Sequence, residues 1–125
     1  MAKLLVVDDS VDVAHLIAEM LGREGHDVDV LHDGRQVVEK LKGGAIYDVI
    51  ITDLIMPDLD GVGVMRYLNK VEDKTPVLVL SGGGVTISSD DALRAVVNMA
   101  AGVLAKPVKC DELLEKIESA MRSRD

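Results

Sequence analysis

Five side chains in this sequence have the types to do chemistry together: the carboxylates of Asp8, Asp9 and Asp53, the hydroxyl of Ser81 and the ammonium of Lys106. Three carboxylates brought close repel one another and raise each other's pKa. A divalent cation removes that conflict. An all-oxygen site with few protein ligands suits Mg²⁺, which keeps several waters and also binds phosphate oxygens. Mg²⁺ beside a carboxylate nucleophile is an arrangement for phosphoryl transfer. Lys106 brings positive charge to phosphoryl oxygens and Ser81 brings a hydrogen-bond donor. Gly82-Gly83-Gly84 lets the backbone approach a bound group and lets the loop move. Singly, each residue has an ordinary reading. Asp8-Asp9 suits the start of a helix, Asp53 an acidic loop, Ser81 a turn and Lys106 a solvated surface. Their joint placement is what those readings leave unexplained.

The elements that must position them show as five apolar runs: Lys3–Val7, Val28–Leu31, Val49–Thr52, Pro76–Leu80 and Gly102–Ala105. These are rich in Val, Ile and Leu and suit strands of a parallel sheet covered on both faces. Helical spacing fills the intervals. Val13, Leu16, Ile17, Met20 and Leu21 make one face, with Ser10 as cap and Gly22 and Gly25 near its end. Asp33 caps a second helix carrying Val37, Val38 and Leu41, and Gly43-Gly44 stops it. Val64, Leu68 and Val71 mark a third, and Ala92, Ala95, Val96 and Met99 a fourth. Leu113, Leu114, Ile117, Ala120 and Met121 mark a fifth, before a polar end, Arg122 to Asp125, expected to fray. Five alternations of β and α predict a parallel α/β sheet with helices on both faces. In such sheets ligands sit outside the carboxyl ends of the strands. Asp8-Asp9, Asp53, Ser81 and Lys106 each follow a strand, so they meet at one edge if the order is 2-1-3-4-5.

In these residues the chain resembles a response-regulator receiver domain of two-component signalling, of the single-domain chemotaxis-regulator kind. The matching pieces are Asp8-Asp9, the run Ile50-Ile51-Thr52-Asp53-Leu54-Ile55-Met56-Pro57-Asp58-Leu59-Asp60-Gly61, Ser81, and Lys106-Pro107. The resemblance covers essentially the whole of residues 1–125, so one receiver domain with no output domain is expected. It implies the flavodoxin-like (βα)5 fold with strand order 2-1-3-4-5. It implies that Asp53 accepts a phosphoryl group from a histidine kinase or phosphotransfer protein, with Mg²⁺ held by Asp9, Asp53, the backbone carbonyl of Ile55, and Asp8 directly or through water. Ser81 and Lys106 would contact the phosphoryl group, and the Lys106-Pro107 peptide is often cis in this family. The expected role is a signalling switch rather than an enzyme acting on an external substrate. Its output would be a partner protein docked on the face of the fourth helix, fifth strand and fifth helix, from a monomer or a phosphorylation-dependent dimer.

Three features depart from the family or tune it. The strand-five aromatic whose rotamer follows the strand-four hydroxyl is replaced by Val103, so output would rest on movement of backbone or of the fourth helix. The stretch after Ser81 is slightly long and predicts an extended loop before the fourth helix. Ile55 and Gly83, two positions after Asp53 and Ser81, can neither orient nor activate water, which predicts slow self-dephosphorylation.

Composition narrows the alternatives. The 125 residues hold 14 Lys plus Arg against 22 Asp plus Glu, a formal charge of −8. That balance argues against nucleic acid and against anionic membranes as partners. No run approaches the roughly 18 apolar residues of a membrane span and no signal-peptide core is present, so a cytoplasmic location is expected. With no Trp, no Phe and two Tyr, the core is expected to be aliphatic. One Cys makes no internal disulfide, and His15, His26 and His32 read as structural or surface residues. A haloacid-dehalogenase-type phosphohydrolase would carry Asp-x-Asp, and here Ile55 stands second after Asp53. A flavin carrier would need a phosphate loop where Asp8-Asp9 would repel phosphate.

Overall fold

The computed structural model describes residues 2–54, 61–81 and 99–124 of the chain. Five strands, β1 (Lys3–Val7), β2 (Asp27–Leu31), β3 (Val49–Asp53), β4 (Val77–Ser81) and β5 (Gly102–Ala105), form one sheet. All pairings are parallel and the order is β2-β1-β3-β4-β5. The helices are α1 (Val11–Arg23), α2 (Gly34–Lys42), α3 (Gly61–Lys70) and α4 (Cys110–Arg124). The last is the fifth helix expected from the spacing, and it extends to Arg124, into the polar end expected to fray. Of the expected fourth helix only Met99 belongs to the described residues. The extended loop expected after Ser81, with Gly83, lies outside them.

The period of two along the strands divides the molecule into two cores. Leu4, Val6, Val49, Ile51, Leu78 and Leu80 face Ala14, Ile17 and Leu21 of α1 and Leu113, Ile117 and Ala120 of α4. Leu5, Val7, Ile50, Val77 and Val79 face Val37 of α2 and Val64, Met65 and Leu68 of α3. Hence Leu4–Val7 of β1, Val49–Ile51 of β3 and Val77–Leu80 of β4 are continuously apolar, whereas β2, at the sheet edge, alternates Asp27, Val28, Asp29 and Val30. Two expectations change. Leu16 is 59% exposed, and Ala14 takes its place on the buried face of α1. The core is not wholly aliphatic, because Tyr47 is among the largest fully buried side chains. Its hydroxyl donates to Asp29 Oδ2 at 2.8 Å, which satisfies the one polar atom that burial would strand.

Helix ends follow from local chemistry. Ser10 Oγ accepts from Val13 N and Asp33 Oδ1 from Gln36 N, so both caps lie where the sequence places them. Three helices then end in the same paired hydrogen bonds. His26 N donates to Leu21 O and Gly25 N to Gly22 O; Ala45 N to Lys40 O and Gly44 N to Leu41 O; Asp73 N to Leu68 O and Glu72 N to Asn69 O. This is the Schellman motif, whose pivotal residue adopts positive φ. Gly25 (φ 87) and Gly44 (φ 96) do so without strain, but at the end of α3 the residue is Glu72 (φ 58).

Candidate functional site

The sheet delivers its chemistry at the carboxyl ends of β1, β3, β4 and β5. Register sets the positions: Val7 pairs Thr52, Asp53 pairs Leu80, and Ser81 pairs Ala105. Asp53 and Ser81 are the last residues of their strands rather than the first beyond them, and Asp8 and Lys106 step just off theirs. Hydrogen bonds extend the ladder past the strands. Asp8 N donates to Leu31 O at 3.2 Å, Leu54 N to Leu80 O at 3.1 Å, and Lys106 N to Ser81 O at 2.9 Å. The Lys106-Pro107 peptide is cis.

Asp8, Asp9, Asp53 and Lys106 come together there. One carboxylate oxygen from each aspartate lies within 4.8 Å of the other two. Asp8 has no exposed surface, Asp53 is 9% exposed and Asp9 is open to solvent. Lys106 Nζ lies 2.8 Å from Asp8 Oδ2 and 3.2 Å from Asp53 Oδ2. The bond to Asp53 is an aligned hydrogen bond, whereas the contact with Asp8 is an ion pair too poorly aligned to count as one. Asp8 Oδ1 accepts from Ser10 N at 2.9 Å, which ties the acid to the cap of α1.

Burial, and then the charge of Asp8, push the Asp53 carboxyl above its ordinary pKa, against the opposing pull of Lys106. For Lys106, burial favours the neutral amine, but Asp8 and Asp53 outweigh it and hold the ammonium above its ordinary pKa. The cluster thus pairs three carboxylates with one ammonium. Its formal residue of two negative charges, with Asp8 Oδ2 buried and lacking an aligned hydrogen bond, fits a hard divalent cation such as Mg²⁺. Of the expected ligands, Ile55 lies outside the described residues. Ser81 stands at the same edge, half-buried, with its backbone carbonyl holding Lys106.

Two residues at the site carry roles their sequence context did not reveal. Gly61, which the sequence marks only as the end of the run that follows Asp53, opens α3 against the end of β3. A Cβ there would lie 2.6 Å from Asp53 O, and its N–H donates to Leu54 O at 3.1 Å. Its place directly after Asp60 was visible, but the close approach depends on how α3 packs. His32 places Nδ1 3.1 Å from the backbone carbonyl of Asp8. No linear pattern links residues 24 apart.

Comparison with known proteins agrees with this geometry. The chain matches the response regulator receiver domain family over residues 4–118. It is 34% identical over 120 residues to the transcriptional regulatory protein TcrA of Mycobacterium tuberculosis, covering 96% of this chain and 46% of that protein. It is 31% identical to the CpxR homolog of Haemophilus influenzae, a transcriptional regulatory protein, covering 98% and 51%. Among solved structures, the receiver domain of the Francisella response regulator 1452 superposes with a TM-score of 0.84 at 30% identity, covering 100% of both chains. The chain spans about half the length of the curated relatives it matches. These relatives overturn the expectation that nucleic acid is excluded as a partner. They are transcriptional regulators by name, and a charge of −8 summed over a receiver-sized stretch carries no information about contacts made by other parts of such proteins. Among the described residues no helix is long and apolar enough to cross a membrane. The chain belongs to the response regulator receiver domain family, the signalling domains of two-component systems.

Proposed function

We propose that residues 1–125 act as a phosphoacceptor switch in which Asp53 takes a phosphoryl group from a histidine kinase or phosphotransfer protein. The observation that carries this reading is the pairing of Lys106 Nζ with Asp53 Oδ2 at 3.2 Å beside the acidic cluster. An Asp53 carboxylate oxygen attacks phosphorus, the P–N bond of a phosphohistidine breaks, and the imidazole leaves with the bonding pair and takes up a proton. The product is an aspartyl phosphate, and Asp53 is the only one of the three acids to end a central strand.

Each neighbour has a part. Lys106 faces one carboxylate oxygen of Asp53 and remains charged throughout the neutral range. Ser81, one position past the residue that pairs Asp53, would donate its hydroxyl to a phosphoryl oxygen. Asp8, Asp9 and Asp53, with the backbone carbonyl of Ile55, would hold Mg²⁺, which when bound neutralises charge on the transferring group. Phosphorylation adds about −1.5 to −2 charge at the sheet edge. Lys106 is then drawn between the buried Asp8 and the new dianion, and the loops that carry these groups shift population. Altered contacts with a partner protein follow from that shift.

Intact-mass measurement after treatment with acetyl phosphate and Mg²⁺ tests the assignment. One phosphate should add to the native chain and none to Asp53→Asn. Equal labelling of the two, or no adduct on either, refutes it.

A further inference from the structure

We propose that His15 and His32 form a second, nitrogen-ligand metal site, one that takes a borderline first-row cation such as Zn²⁺, Ni²⁺ or Cu²⁺ and is separate from the carboxylate cluster. His15 projects from α1 and His32 follows β2. Their rings are stacked, with centres 6.2 Å apart and planes that differ by 19°. Metal–nitrogen bonds of about 2.0–2.1 Å put two imidazole centres on one ion about 5 Å apart at a tetrahedral angle and about 6.4 Å apart when opposed. Stacked rings do not aim their in-plane lone pairs at one point, so a shared ion requires one ring to turn. His15 is exposed, so its side chain is free to make that turn.

An independent observation bears on His32 itself. Its Nδ1 lies 3.1 Å from the backbone carbonyl of Asp8, and a carbonyl only accepts, so Nδ1 carries the proton. In the neutral ring Nε2 then holds a free lone pair. A ring N–H donated to a backbone carbonyl is the outer contact that fixes the tautomer and orientation of metal-bound histidines. The backbone of His32 is held as well, because its N–H donates to Gln36 Oε1 at 3.0 Å within the cap of α2. His26 offers the contrast. Its Nδ1 accepts from Ala2 N at 3.1 Å, so its lone pair is already spent.

Two imidazoles leave the rest of the coordination sphere to water, so binding is exchangeable rather than structural. Imidazole nitrogen selects against Mg²⁺, and the two sites sort cations by ligand type. Because His32 grips the carbonyl of Asp8, an ion on the pair would tether α1 and the β2–α2 turn to the loop that carries the acids.

Calorimetric titration of Zn²⁺ into the full chain tests this, with Mg²⁺ in excess to occupy the carboxylates and with Cys110→Ser to remove the thiol. One Zn²⁺ per chain is expected. His15→Gln and His32→Gln should each weaken binding roughly tenfold or more, and His26→Gln should leave it unchanged. Imidazole resonances of His15 and His32 should move together during the titration. No binding in excess Mg²⁺, or binding that survives either of the two substitutions, overturns the site. His15 is exposed, so His15→Gln decides the matter even if His32→Gln fails to fold, with circular dichroism as the check on its fold.

Discussion

The ammonium of Lys106 sits 2.8 Å from Oδ2 of Asp8, a carboxylate with no exposed surface. No aligned hydrogen bond satisfies that oxygen, so the lysine's charge is its chief compensation. Removing one partner of a buried pair costs more than the pair contributes, because the remaining charge is stranded. Lys106→Met should therefore destabilise the metal-free protein by about 2 kcal/mol, less than a fully buried pair would, since the lysine side chain is 22% exposed. Added Mg²⁺ should recover more stability in this variant than in the native chain. Urea titrations in chelator and in Mg²⁺ read both effects; an equal Mg²⁺ increment in the two proteins would contradict the account.

Asp53 sets a pH dependence of definite sign. Its carboxyl is raised above its ordinary pKa, first by burial and then by Asp8. The native state thus holds its proton to higher pH than the unfolded chain does. Stability from this group is fully present below the unfolded pKa and is lost as pH rises through the folded value. Lys106, also raised, keeps its contribution below its unfolded pKa and loses it only in the alkaline range. At neutral pH in chelator, Asp53→Asn should melt at a higher temperature than the native chain, and the gap should close as the pH falls toward 4. Thermal melts across that range check it, and a gap that widens on acidification has the wrong sign.

Much of this was legible because the signals are local or periodic. The strand order comes with the family resemblance, and the alternation of β and α fixes the class. The caps Ser10 and Asp33, and the stops at Gly25 and Gly44, announce themselves within four residues of what they bond. Asp8, Asp9, Asp53 and Lys106 are readable because a parallel sheet carries every strand end to one edge. The contact of His32 with Asp8 was not, because it joins two loops whose spacing in sequence is arbitrary. The burial of Tyr47 was missed because two tyrosines look too few to matter, and the partner its hydroxyl finds, Asp29, lies 18 residues away on the edge strand. The charge of −8 misled about nucleic acid because it is a property of one domain and not of relatives about twice as long.

Gly61 is required by close approach rather than by φ. A methyl group there would meet Asp53 O at 2.6 Å, with Leu54 Cα and Thr52 Cγ2 at 3.3 Å. Both backbone obstacles belong to the end of β3, so either α3 retreats or the Asp53 backbone shifts. Gly61→Ala should cost about 1–3 kcal/mol, the usual range for overpacking, and should slow labelling of Asp53 by acetyl phosphate beyond what lost stability explains. Comparing initial labelling rates at a temperature where both proteins are folded separates the two effects. Unchanged stability and rate would mean that the approach is relieved at no cost.

Glu72 holds the pivotal position of the Schellman motif that ends α3, at φ 58, where α1 and α2 use Gly25 and Gly44. A side chain in the left-handed region costs roughly 1–2 kcal/mol, offset in part by the greater freedom glycine gives the unfolded chain. Glu72→Gly should therefore stabilise the protein by about 1 kcal/mol. Gly44→Ala, which imposes the same strain on α2, should destabilise it by a similar amount, since a Cβ at Gly44 meets nothing within 4 Å and the effect is conformational alone. Chemical denaturation at fixed pH measures both. Opposite signs at the two positions are required, because the hydrogen bonds are the same and only the residue that makes the turn differs.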